Sequence, residues 1–165
     1  YIDQAINEYT LRRMSRGGMK KAFAWSDRLR GGKPGDVNAW DTMIEELPQI
    51  IERVKSAIIL NQSMFDVVKI WDEDDTLFYL DPPYLHETRS DGATNVYEHE
   101  MTVEDHIALL GFAKNARGKV IISGYSSPLY NRTLKEWSQK KKTMANHSGQ
   151  SKIKEKRVEM IWMNY

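Results

Sequence analysis

Apolar residues are spaced in helical and strand-like patterns only from Trp40 onward. Pro48 suits a first helical turn, and Ile50, Ile51, Val54 and Ala57 follow on one side of that helix. Ala57 to Leu60 is a short apolar run and a strand candidate. Ser63 with Asp66 resembles a capping box, so Met64 to Ile70 is predicted helical. An acidic turn, Asp72-Glu73-Asp74-Asp75, leads into Thr76-Leu77-Phe78-Tyr79-Leu80, which reads as a strand buried on both faces. Pro82 and Pro83 end that strand, because neither can donate to a ladder. A long polar loop runs from Leu85 to Tyr97, with a glycine at 92. Thr102 and Asp105 cap a helix over Val103 to Ala116, with Ile107, Leu110 and Ala113 on one side and Gly118 after its end. Lys119 to Ser123 is a strand, Gly124 to Pro128 a turn, and Leu129 to Trp137 a helix. Residues 139–146 and 157–163 form a final antiparallel pair around Gly149.

This order predicts an α/β fold with parallel strands ending in an antiparallel hairpin. In such sheets ligands bind beyond the carboxyl ends of the strands, where Asp81 lies. The first 38 residues are rich in Arg, Lys and Gly and read as loops with short helical pieces. Gly31-Gly32-Lys33 lacks the spacing of a phosphate-binding loop.

Composition narrows the classes. The 165 residues suit one domain, or one domain with a small attached piece. The absence of cysteine excludes disulfides and thiolate metal sites. No apolar run is long enough for a membrane span and no signal-peptide pattern opens the chain, so a soluble, cytoplasmic protein is expected. The net charge of +1 conceals a strong pattern. Residues 1–33 carry eight Lys/Arg against three Asp/Glu, residues 34–110 four against seventeen, and residues 111–165 twelve against three. Basic ends of this kind fit nucleic-acid binding, and they equally fit solvated faces.

Asp81-Pro82-Pro83-Tyr84 is the peptide that carries chemistry. The exocyclic amine of a nucleobase is a poor nucleophile, because its lone pair is delocalised into the ring. Two acceptors aimed at its hydrogens free that pair. The Asp81 carboxylate can be one and the Pro82 carbonyl the other, with the prolines restricting the backbone beforehand. Tyr84 offers a flat face to the base, and such stacking contributes roughly 1–3 kcal/mol. The amine is out of reach inside a duplex, so the base must be flipped out. Chance would produce this tetrapeptide in a chain of this length on the order of once in a thousand.

These residues match motif IV of the S-adenosylmethionine-dependent amino-methyltransferases. The surrounding stretches extend the match: Asp75 to Leu85, Glu87-Thr88-Arg89, Tyr97, Glu100-Met101, His106, Lys119 to Tyr125, Leu129-Tyr130 and Glu159 to Asn164. Over roughly residues 40–165 the chain resembles the Dam-like DNA adenine N6-methyltransferases of bacteria and phages. The resemblance implies a partial Rossmann-like catalytic half at 46–165 and a basic, mostly helical target-recognition remnant at 1–45. It implies Asp81, Pro82, Pro83 and Tyr84 as catalytic residues, and S-adenosylmethionine held by Asn61, Gln62, Ser63, Met64 and Asp81. Gln62-Ser63-Met64 stands where family members often carry an Asp-Phe pair. Double-stranded DNA would meet Arg12, Arg13, Arg16, Lys20, Lys21, Arg28, Arg30, Lys33 and Arg89. The family's Phe-x-Gly-x-Gly cofactor loop does not occur in this sequence. A further N-terminal segment or a second chain is therefore expected to supply it. The alternatives are a catalytically incomplete DNA-binding fragment and an RNA amino-methyltransferase, and cofactor binding separates the first of these from an enzyme.

Other residues carry weaker signals. His86 could touch substrate or be a solvated loop residue, and His86, His106 and His147 lack metal-ligand spacing. Ser123 and Ser126 have no nucleophile-elbow pattern around them. Lys140-Lys141-Lys142, Lys152, Lys154, Lys156 and Arg157 fit a solvated face better than a phosphate track. Trp137 and Trp162 are expected in the core.

Overall fold

The computed structural model describes residues 1–26, 28–88, 99–145 and 156–165. It divides into two compact units, Tyr1–Leu60 and Asn61–Tyr165. The expected boundary at 45/46 falls inside a helix of the first unit.

In the first unit, α1 (Ile2–Arg13) is a regular helix where loops with short helical pieces were expected. Asp3 in its first turn and Arg12 and Arg13 in its last complement the helix dipole, and Glu8 bonds to Arg12 one turn on. The hairpin β1 (Leu29–Arg30) and β2 (Lys33–Pro34) turns at Gly31 and Gly32, whose φ angles of 59° and 82° suit glycine. This tip is a tight turn. Next comes α2 (Gly35–Lys55), which starts well before Pro48 and carries that proline inside it. The apolar stripe Trp40, Ile44, Leu47, Ile51, Val54 runs straight through, so the helical periodicity continues despite the one backbone bond that proline removes. The rings of Tyr9 and Trp40 meet edge-on at 6.2 Å and the Arg13 guanidinium lies 5.8 Å above Trp40, tying α1 to α2. Ala57 to Leu60 is not a strand; Ile58 and Ile59 are about three-quarters exposed, at 74% and 77%. No strand lies beside them among the described residues, and an unpaired backbone has no ladder to join.

The second unit opens with α3 (Met64–Trp71), capped by Ser63, whose hydroxyl accepts from the Phe65 N–H. Its remaining elements are β3 (Leu77–Leu80), a single 3-10 turn at His86–Thr88, α4 (Val103–Asn115), β4 (Lys119–Tyr125), α5 (Pro128–Thr133), β5 (Ser138–Ala145) and β6 (Lys156–Met163). The sheet order is β3-β4-β6-β5: β3 and β4 are parallel, and the β4–β6 and β6–β5 pairs are antiparallel. This is the expected α/β class with a mixed sheet. Thr102 and Asp105 form a complete capping box on α4. By contrast, α5 stops four residues before Trp137, with Ser127 as its cap and Pro128 in its first turn.

Trp162, Leu109, Leu110, Ile122, Leu134, Val120 and His106 fill the centre of this unit with almost no exposed surface. Trp137 packs against that core, as expected. Two turns are fastened together at one end of the sheet. Asp72 accepts from the backbone N–H groups of Arg117 and Gly118, and the Arg117 side chain pairs with Glu73 and Asp74. The expectation that β3 is buried on both faces fails. Phe78 is buried, but Leu77 and Tyr79 on the other face are 55% and 60% exposed. Within the described residues of this unit β3 is an edge strand, paired only with β4. No helix among the described residues is long and apolar enough to cross a membrane.

Candidate active site

Strand β3 delivers Asp81 to its carboxyl end, and the two prolines then turn the chain away from the sheet. Ser123, buried in β4 beside it, donates its hydroxyl to Asp81 Oδ1 at 2.8 Å, and the carbonyl of Leu80 lies 3.3 Å from the same hydroxyl. The parallel register explains the meeting, since Leu80 is opposite Ile122 and the next residues on each strand are Asp81 and Ser123. Among the described residues no hydrogen bond reaches Asp81 Oδ2, and the residue is exposed. One carboxylate oxygen is thus anchored and the other faces outward.

Tyr84 is fixed from the opposite side. Its hydroxyl donates to Glu159 Oε1 of β6 at 3.0 Å, and its ring meets the Tyr125 ring edge-on with centroids 4.6 Å apart. Burial raises the Tyr84 phenol well above its usual range, the bond to Glu159 raises it further, and the Asp81 charge adds to both. Tyr84 is therefore a neutral, oriented aromatic at neutral pH. Sequence reasoning gave no role to Ser123, Tyr125 or Glu159. Only the register between distant strands places them here.

Beyond the motif lies a cavity of about 550 Å³, lined mainly by apolar side chains including Leu85, Met101, Ile107 and Leu129, with His86 and Arg132 at its wall. That volume is in the range of small-molecule sites. His106 is buried inside the unit, its Nδ1 2.8 Å from the Tyr130 hydroxyl.

The sequence-derived cofactor segment lies at the start of the same unit. Asn61, Gln62 and Ser63 are exposed, while Met64 and Phe65 pack onto the core that also holds Phe78 of β3. Ser63 is committed to capping α3. In the first unit, several of the predicted DNA-contacting cations have partners already. Arg12 and Lys20 both bond Glu8, Arg13 donates to the Ala39 carbonyl, and Lys33 pairs with Asp41. The side chains of Arg16, Lys21, Arg28 and Arg30 are exposed and make no such bond among the described residues. Arg89 lies outside the described residues.

Strand β3 thus ends in a carboxylate, two prolines and an aromatic ring held by a hydrogen bond and a ring contact. The family model for D12 class N6 adenine-specific DNA methyltransferases matches residues 35–156. The chain belongs to that family. No curated protein sequence matches it significantly. As a D12-class N6 adenine-specific DNA methyltransferase, it is assigned to methylation of adenine in DNA. The match begins at the first residue of α2 and spans the whole of β3, α4, β4 and α5. The D12-class assignment covers the Asp81 to Tyr84 peptide and the Ser123 and Tyr125 side chains around it, whereas Glu159 lies past its end.

Proposed function

We propose that this chain carries the catalytic half of a site-specific methyltransferase acting on N6 of a flipped-out adenine, with S-adenosylmethionine as methyl donor. One observation carries the reading: Asp81 has one oxygen tied to Ser123 and, among the described residues, no hydrogen bond to the other, directly ahead of the Pro82 carbonyl. Asp81 Oδ2 and the Pro82 carbonyl accept from the two N6 hydrogens and localise the lone pair on nitrogen. Tyr84 stacks on the ring. The neighbouring cavity, whose lining starts at Leu85 directly after the motif, offers an extrahelical base an apolar surface. After the methyl group has arrived, nitrogen carries the extra proton and releases it along the hydrogen bond to Asp81.

When bound, S-adenosylmethionine supplies an electrophilic methyl group on a sulfonium. The residues present fit one end of it. Exposed Asn61 and Gln62 can bond an adenine edge, and Met64 can lie against its face. No glycine-rich turn follows β3 or β4 for the rest of the cofactor. The edge of β3, unpaired among the described residues, and its exposed Leu77 and Tyr79 support a sheet that continues, in Rossmann-like fashion, with strands from a further segment or second chain. Residues 1–45, with no bond from the Arg16, Lys21, Arg28 and Arg30 side chains among the described residues, are assigned to target DNA.

The test is incubation with S-adenosylmethionine and unmethylated DNA, followed by mass spectrometry for N6-methyladenine. Product is expected from the wild-type chain and a loss of at least about a hundredfold in Asp81→Ala. The same open edge favours a second reading, a DNA-holding half that needs its complement. Salt-sensitive DNA binding without cofactor binding or product would decide for it.

A further inference from the structure

We propose that Glu159 is a positioning residue for methyl transfer, acting through Tyr84 by holding the stacking ring at its far end while Tyr125 holds its edge. The functional part of this inference rests on the methyl-transfer reading; the contact itself does not.

A tyrosine ring moves about two soft dihedrals, so a ring that must present one face to a base needs restraint at two points. The structure supplies both. The Tyr84 hydroxyl, the atom farthest from its backbone, donates to Glu159 Oε1 at 3.0 Å. The ring edge meets Tyr125 with centroids 4.6 Å apart and planes inclined by 65°. The two supports are themselves paired, because Tyr125 and Glu159 stand opposite each other in the β4–β6 ladder. They lie on the two inner strands of the sheet, and Glu159 is also paired with Lys142 of β5. Tyr84 by contrast sits on the loop after an edge strand, where no backbone ladder restrains it. Stacking alone requires no hydroxyl, and phenylalanine would serve. A half-buried carboxylate receiving the phenol adds direction to the ring. The phenol's raised ionisation agrees with that bond and with the facing charges of Asp81 and Glu159.

The experiment has a spectroscopic arm and a kinetic arm, both on the full chain. Phenol ionisation is followed by ultraviolet absorbance, and the difference from Tyr84→Phe isolates Tyr84. In Glu159→Ala the Tyr84 phenol should ionise at lower pH than in wild type, since an acceptor and a negative charge are gone. Glu159→Gln keeps an acceptor but not the charge, so it should shift less. It also guards against misfolding of the alanine variant. For methylation of DNA, Glu159→Ala should lower kcat by about ten- to a hundredfold, the scale of a misplaced reacting group. Glu159→Gln should recover most of that loss. The double variant with Tyr84→Phe should be no slower than the slower single variant, because both remove one bond. Unchanged Tyr84 ionisation in Glu159→Ala, wild-type kcat in that variant, or multiplicative losses in the double variant would each overturn the proposal. A wild-type chain that makes no N6-methyladenine, yet shows the ionisation shift, overturns the methyl-transfer reading and supports the Glu159–Tyr84 contact.

Discussion

Ser123 and Asp81 are 42 residues apart in sequence and 2.8 Å apart in space. The serine holds one carboxylate oxygen, and in the proposed reading the other receives the substrate amine. Ser123→Ala should slow methylation by about tenfold while changing stability by only about 1 kcal/mol, the net scale of one hydrogen bond. Denaturant titration beside a kinetic assay would separate the two effects. A second residue-scale expectation concerns alkali. Burial pushes the Tyr130 phenol up to about 12, and Tyr84 is raised in the same direction. Phenols in the unfolded chain ionise near pH 10. The folded state holds these protons more tightly, so the stabilisation is complete below about pH 10 and is lost as pH rises toward about 12. Urea unfolding at about pH 9 and about pH 11 should show a lower midpoint at the higher pH, and a smaller drop in Tyr130→Phe. At this scale the sequence was half legible. Asp81 to Tyr84 is contiguous, so its chemistry could be read directly. Ser123 and Glu159 could not be assigned, because only strand pairing across 42 and 75 residues brings them to the motif.

Elements were legible wherever the signal was local. The Thr102/Asp105 box lies within four residues and caps α4 as read. Thr102→Ala should cost about 1 kcal/mol in a denaturation experiment. The backbone bond from Thr102 holds the Asp105 carboxyl below its usual range, so the contribution of this cap is present at neutral pH and fades in acid. Failures came from terms that a short window does not contain. Pro48 suggested a helix start, but the apolar stripe from Trp40 carried α2 through it. Ala57 to Leu60 has strand composition, but strand formation requires a neighbour. Gly118 was read as a helix stop and does more than that. A Cβ there would lie 2.8 Å from the Thr76 carbonyl and 3.0 Å from that of Glu73. These are backbone atoms and cannot swing away. Gly118→Ala should therefore destabilise the unit by about 1–3 kcal/mol, the usual cost of overpacking, measured as a lowered urea midpoint.

For the whole molecule, intramolecular pairs occupy Arg12, Lys20 and Lys33 of the basic N-terminal stretch, while Arg16, Lys21, Arg28 and Arg30 make no such pair among the described residues. The open side of β3 has a different consequence. Strand β5 pairs with β6 over eight residue positions, whereas β3 joins β4 through four positions and no other strand among the described residues. Cooperative units of a protein open from their weakest attachments. The strand that bears Asp81 should thus release its amide protons to solvent faster than β4 or β6 in a deuterium-exchange experiment. Parallel pairing across the stretch between β3 and β4 also closes a long loop, so β3 should be the last strand to dock during refolding. A segment that pairs with its free edge would slow that exchange and raise the fraction of molecules with an assembled site. Assembly and catalytic competence would then rise together with the concentration of that segment.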